Sequence, residues 1–188
     1  MIYTILGVIA YLFFFAYDIN SIILKNKLLN CCFFSGLLLL TAATAGIIIS
    51  SAEQLRLNIV RTSICGLLAA VFFLLLIYTL FFALPFKDTY FENGAEPKVY
   101  RNGVYALCRH PGVLWFIGMY FCMGLTLQLP MFYIASAIFS CLNLIYVIFQ
   151  DCWTFMKTFP DYKQYKQETP FLLPRISSIQ KCFRTISR

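Results

Sequence analysis

Charge is scarce in this chain: only 12% of its 188 residues are Asp, Glu, Lys or Arg, and long stretches carry neither sign. A soluble domain of this length needs a charged, solvated surface, so the scarcity excludes an ordinary globule. Histidine occurs once, and no CxxC or Cys/His ligand spacing occurs, which excludes a metal centre built on those patterns. Internal repeats and low-complexity segments are absent as well. The apolar run before Asp18 lacks a basic start and a small-residue cleavage site, so it reads as a span and not as a secretory leader.

What the chain has in abundance is apolar and aromatic surface. Hydrophobic residues make up 61% of it, including 20 Phe and 12 Tyr, and the mean hydropathy is +0.76. A chain this small has too little interior to hide so many large rings, so lipid must act as solvent for much of it. Eight cysteines would suggest a disulfide framework in a small secreted protein. Here Cys31, Cys32, Cys65, Cys122 and Cys141 lie inside apolar runs, where cysteine behaves as a small reduced hydrophobe.

An all-α, polytopic membrane fold follows. Crossing a hydrocarbon core takes about 20 apolar residues, and five candidates run Ile2 to Tyr17, Leu28 to Ser50, Thr62 to Phe86, Pro111 to Leu129 and Met131 to Gln150. The turn at Leu129-Pro130 makes the last two a tight helical hairpin. Residues 1–86 form a three-helix membrane region, and 87–188 hold a polar loop, the hairpin and a basic tail. From Lys157 to Arg188 there are seven basic residues and two acids, five of the net +7 charges. The positive-inside rule puts this tail in the cytoplasm, and with it the Lys87 to His110 loop. Beyond Arg175, residues Ile176, Ile179, Phe183 and Ile186 fall near one helical face and Lys181, Arg184 and Arg188 around the other. That pattern suits either a short helix on anionic headgroups or a frayed basic end. Basic residues so close to the membrane point to anionic lipid as their partner and away from nucleic acid.

Polar groups that a bilayer makes costly are the best pointers to function. They converge at the entrance of the fourth span, where Arg109 and His110 precede Pro111, and at the end of the fifth, where Gln150 and Asp151 stand. An antiparallel hairpin of nearly equal arms returns Asp151 to the same membrane face as Arg109 and His110. A helix N-terminus beside His110 favours anions, and Arg109 adds a planar fork of donors. Asp151, read as a helix-end carboxylate, opposes the macrodipole and needs a cation. Interfacial anchoring would account for His110 and Arg109 equally well on these grounds alone.

The run Gly103-x-Tyr105-x-x-x-Arg109-His110-Pro111 resembles the Gly-x-Tyr-x-x-x-Arg-His-Pro signature of the isoprenylcysteine carboxyl methyltransferase and phospholipid methyltransferase superfamily. Phe159, Tyr162, Tyr165, Pro170 and Pro174 resemble that family's Phe…Tyr-x-x-Tyr…Pro…Pro segment, one hydrophobic hairpin downstream. The resemblance implies an integral membrane enzyme, of the plasma membrane or the endoplasmic reticulum, that binds S-adenosylmethionine in a cytoplasmic pocket. It implies a lipid or lipidated acceptor entering from the bilayer and O-methylation of the isoprenylcysteine carboxyl type. Carried over by position, cofactor contacts become Pro97, Lys98, Val99, Tyr100, Tyr105, His110, Pro111, Gly112, Val113 and Asp151, with Arg109 as the catalytic candidate. His110 would meet the cofactor carboxylate, Asp151 its ammonium, and Tyr100 or Tyr105 its adenine.

The chain departs from the family at Val113, Trp115, Gln150 and Val147, the last standing where an arginine would hold a substrate carboxylate. With His110 given to the cofactor, the site looks poor in bases, which favours an oxygen or sulfur acceptor over an amine. Two other readings share the architecture: an NADPH-dependent reductase of the sterol reductase type, and a non-catalytic lipid-binding relative. The four basic and three acidic residues from Lys87 to His110 are a poor match to a dinucleotide phosphate.

Overall fold

A computed structural model describes residues 1–55, 57–83 and 97–186, the side chain of Ile186 excepted. The first part of the Lys87 to His110 loop, the last residues assigned to the third span, Arg56 and Arg188 lie outside that range. Every regular element among the described residues is helical. In chain order they are α1 (Ile2–Ile19), α2 (Cys32–Ser50), α3 (Ile59–Ile77), α4 (Val104–Leu107), α5 (Pro111–Leu127), α6 (Pro130–Phe149), α7 (Phe155–Thr158), α8 (Tyr162–Glu168) and α9 (Ile176–Ile186). Short 3-10 turns at Leu28–Cys31 and Ala52–Gln54 flank α2.

Among the described residues, four continuous helices are long and apolar enough to cross a membrane: Ile2–Leu24, Leu28–Ser50, Ile59–Phe82 and Pro130–Thr158. The remaining candidate, the fourth in chain order, is α5, which has 17 residues and ends earlier than the sequence suggests. Its C-cap Gln128 turns left-handed at φ 53°, and Leu129 is extended ahead of Pro130, which starts α6 at its first turn.

Three polar residues expected to end spans do not. Asp18 was expected to open a connection to Lys27, yet the first helix continues to Leu24 and stops only at Lys25, which takes the left-handed conformation at φ 51°. The reason is that Asp18 is buried against Tyr146, Gln150 and Thr154 of the neighbouring helix and accepts from the Thr154 hydroxyl, so the chain has no need to deliver it to water. Likewise Gln150 and Asp151 were expected at the end of the fifth span, but the helix runs on to Thr158. Asp151 therefore sits within a helix and is not the terminal carboxylate opposing a macrodipole.

Each of three spans passes through a π turn near its C-terminal end: Asn20–Leu24 after α1, Tyr78–Phe82 after α3 and Gln150–Thr154 after α6. Those ends lie on one side of the bundle. Contacts of α1 with α6 rise in step, from Tyr11 with Phe139, through Phe14 with Tyr146 and Phe15 with Phe149, to Asp18 with Thr154, so the two helices run parallel. Helix α5 runs antiparallel to α3, with Gly118 and Trp115 against Phe72 and Gly112 nearest Leu76.

Small residues set the closest approaches, as expected where lipid is as apolar as the side chains. A Cβ on Gly36 would meet the Ala10 carbonyl oxygen at 2.9 Å, so glycine lets α2 lie against the backbone of α1. The core is aromatic where α1, α5 and α6 meet, with Tyr11, Phe116, Tyr120, Phe132 and Phe139 buried. Its buried tyrosine hydroxyls are satisfied inside the bundle: the Tyr11 hydroxyl donates to the Phe139 carbonyl at 2.9 Å, and the Tyr120 and Thr44 hydroxyls lie 2.6 Å apart.

Candidate functional site

The two sequence blocks that carry the family resemblance pack against each other at the π-turn end of the bundle. Arg101 donates to the Asp161 carboxylate at 2.7 Å and to Glu168 at 3.3 Å, and the Val99 N–H donates to Asp161 at 3.1 Å. The Tyr165 hydroxyl donates to the Tyr105 carbonyl at 2.6 Å. Backbone N–H groups of Arg109 and His110 donate to the carbonyls of Pro170 and Phe171, at 2.9 and 3.3 Å. Gly103, at φ 58°, makes the turn into α4, where its N–H donates to Thr185 of α9. The basic tail is thus helical over Ile176–Ile186, as the short-helix reading expects of that stretch.

At the centre of this assembly stands Asp151, 4% exposed. Its Oδ1 accepts from Arg109 Nε at 2.8 Å, from the Tyr162 hydroxyl at 2.8 Å and from His110 Nε2 at 3.3 Å. Its Oδ2 accepts from Lys166 Nζ at 2.7 Å and from an Arg109 Nη at 3.3 Å. Arg109 spends its remaining reach on the Thr169 and Lys166 carbonyls, at 2.7 and 3.1 Å. A buried carboxylate with this many donors is ionised, and against two fixed cations the cluster carries one surplus positive charge.

His110 is 6% exposed and caps α5, its ring stacked on Phe155 and edge-on to Phe171. Burial holds its imidazole below the ordinary value, and the charges of Arg109 and Lys166 act the same way against the attraction of Asp151. The ring is therefore neutral, and the acceptor facing Nε2 fixes the proton there. Burial also raises the Tyr162 and Tyr165 phenols and the Cys108 thiol, so all three are protonated.

This has a consequence for acid stability. The unfolded chain takes up a proton on histidine near its ordinary value of about 6.5, whereas the folded protein resists doing so. Stability is then complete above that value and falls as pH drops through it towards the lower folded value. The thermal midpoint in detergent is expected to fall between about pH 7.5 and about pH 5.5, and to fall less in His110→Asn, which cannot take up the proton.

Beside the cluster opens a cavity of about 330 Å³. One end is aromatic and polar, lined by Val99, Tyr100, Tyr105, Arg109, His110, Pro111, Gly112 and Val113 with Tyr162 and Tyr165. The other end runs between spans, against Phe14, Phe33, Leu37, Leu40 and Leu76. Of the residues singled out from sequence, Pro97, Lys98 and Asp151 do not line it. Asp151 acts on the cavity through Arg109, His110 and Tyr162, which do. Tyr100 and Tyr105 stand edge to face at 6.3 Å, and the Tyr105 hydroxyl donates to the Thr79 carbonyl in the second π turn.

Sequence reasoning missed Thr79, Lys166 and above all Asp18. Thr79 has no motif; it holds Tyr105 by its carbonyl and Trp115 Nε1 by its hydroxyl, at 3.1 Å. Lys166 was counted only within the basic tail. Asp18 carried a signal that could have been read, since it is the only acid before Glu53 in a run of apolar residues. The chain matches no family model, no curated protein and no solved structure.

Proposed function

We propose that this protein is an integral membrane, S-adenosylmethionine-dependent methyltransferase acting on a lipophilic acceptor. The observation that carries the reading is the single cavity joining a polar, aromatic, net-positive end to an apolar end between spans. Such a cavity suits two reactants of opposite character meeting head to head.

The residues at the polar end fit the cofactor's chemistry. Tyr100 and Tyr105 offer ring surfaces to a purine, and Arg109 with the surplus charge around Asp151 complements a carboxylate at the start of α5. The group when bound would supply an electrophilic methyl on a sulfonium. What the chain supplies is orientation, through rings and donors already fixed by mutual hydrogen bonds, and exclusion of water by the surrounding helices. Asp151 keeps Arg109 and His110 in place and, having no oxygen free of donors, is a positioning residue.

The proposed placement has five spans, with α5 reaching about 25 Å at about 1.5 Å per residue, the short end of what a bilayer core accepts. The π-turn ends and the basic tail face the cytoplasm. Helix α9 turns Ser178 and Cys182 inward and leaves Ile176, Ile179 and Phe183 exposed beside Lys181 and Arg184, which suits the surface of an anionic leaflet.

Calorimetric titration of the detergent-purified protein with S-adenosylhomocysteine is expected to give saturable, one-to-one binding. Tyr100→Ala is expected to weaken it by about 1 to 3 kcal/mol, the scale of a ring stacked on a base. No binding of S-adenosylhomocysteine or S-adenosylmethionine would defeat the proposal, and binding of NADPH instead would favour the reductase.

A further inference from the structure

The cavity has a second polar feature that the cofactor reading leaves unused. Tyr146 and Gln150 of the α6 span line the cavity, and behind them lies Asp18 of the α1 span, 3% exposed. Asp18 accepts from the Thr154 hydroxyl at 3.4 Å and has the Tyr146 phenol and the Gln150 amide against it, and Gln150 Nε2 donates to the Tyr146 oxygen at 2.9 Å. All of these donors are neutral. Among the described residues no Lys, Arg or His lies within ion-pair distance of Asp18, in contrast to Asp151 with Arg109, His110 and Lys166.

A carboxylate placed in a membrane helix, turned to the bundle interior and given no cation, is costly to keep as mere structure. Tyr146 and Gln150 both stand between it and the cavity, and of the two only the phenol can pass a proton. A phenol that donates to a buried carboxylate can accept a proton on its oxygen while passing its own inward. Resting on the methyltransferase reading, we propose that Tyr146 and Asp18 form a proton relay, so that the acceptor is a hydroxyl or amine whose proton must leave, and not a carboxylate.

The step balances. The acceptor X–H gives its proton to the Tyr146 oxygen, and the Tyr146 proton passes to Asp18. The lone pair freed on X forms the bond to the methyl carbon of a sulfonium donor, and the carbon–sulfur pair stays on sulfur as a thioether. The proton left on Asp18 returns to water after turnover. Tyr146 is the catalytic residue in this scheme and Asp18 the positioning residue behind it. A site that seemed poor in bases from sequence alone gains one from the first span.

The test needs no knowledge of the natural acceptor. A dodecyl-bearing nitrophenol, whose anion alone absorbs in the visible, is titrated into the purified protein without any methyl donor. Wild type is expected to bind it ionised at a pH where the free probe is mostly neutral, while Asp18→Asn and Tyr146→Phe bind it neutral and Asp18→Glu restores the visible band. In parallel, dodecylamine, para-dodecylphenol and dodecanoate are offered with labelled S-adenosylmethionine. Methyl transfer to the amine or the phenol, lowered by about 100-fold or more in both variants, is the expected result for loss of a general base. Both variants should keep S-adenosylhomocysteine affinity within about twofold, which also shows that they are folded; if one fails to fold, the other decides. Transfer to dodecanoate alone or to no probe, or an unchanged visible band in the variants, overturns the relay while leaving cofactor binding intact. Absence of cofactor binding in the wild type strikes instead at the methyltransferase reading itself.

Discussion

Replacing Asp151 by alanine is expected to cost about 3 to 5 kcal/mol of stability, enough to unfold a marginal membrane domain, because it leaves Arg109 and Lys166 charged and unpaired. The five donor contacts on its two oxygens come from Arg109, His110, Tyr162 and Lys166, that is, from both sequence blocks at once. Removing the carboxylate therefore does more than delete a contact; it makes two cations repel each other where one anion held them. Asp151→Asn is the informative comparison. It keeps the shape and one acceptor oxygen, so the protein should fold with a lowered midpoint while S-adenosylhomocysteine affinity falls, since Arg109 and His110 lose their fixed positions. Melting in detergent alongside calorimetry separates the two effects. Equal midpoints for wild type and the alanine variant would mean that the carboxylate is not the keystone argued here.

The second large effect is expected at Arg109→Lys. The substitution keeps the charge but loses the planar fork that now reaches Asp151 through two nitrogens and the Lys166 and Thr169 carbonyls through a third. A lysine ammonium can serve the carboxylate or the carbonyls but not both sets. The segment Thr169–Phe171 then keeps its backbone bonds to Arg109, His110 and Tyr165 and the Phe171 ring against His110, but loses the guanidinium that braced its carbonyl. Loss of about 2 to 4 kcal/mol in stability follows if two charge-assisted bonds are lost, at about 1.5 to 3 kcal/mol for each such bond and with partial relaxation. Limited proteolysis should report it first, as new cleavage between Glu168 and Arg175 under conditions where wild type stays intact. A lysine variant cleaved no faster than wild type would show that the charge alone suffices.

How much of this was legible in the sequence depends on what kind of signal each part left. The long apolar runs declared themselves, because bilayer thickness translates directly into run length. The meeting of residues 103–111 with 159–174 could be anticipated from the short turn at Leu129-Pro130, which forces the chain back to the same face. Boundaries went wrong where a polar residue was taken as an exit from the membrane. Asp18 and Asp151 both continue their helices because each finds its donors on a neighbouring helix, and such pairing is invisible along a single run. Asp151 stands out in the sequence as a costly carboxylate, but the number of donors around it is a fact of packing that spacing does not encode. The π turns left no trace in composition at all.

Those π turns have a consequence for how the molecule can vary. A π turn inserts one residue into a helix and so rotates everything after it by about 100° relative to everything before. Of the three, Asn20–Leu24 and Tyr78–Phe82 close their helices, and only Gln150–Thr154 has a further helical stretch described beyond it, Phe155–Thr158. The extra residue there turns Phe155 onto His110 while Phe139 and Tyr146, before it, stay in the core of the bundle. Deleting one residue from that turn would re-aim Phe155 without altering the apolar run that precedes it, so a single position sets how one continuous helix is shared between bundle and site.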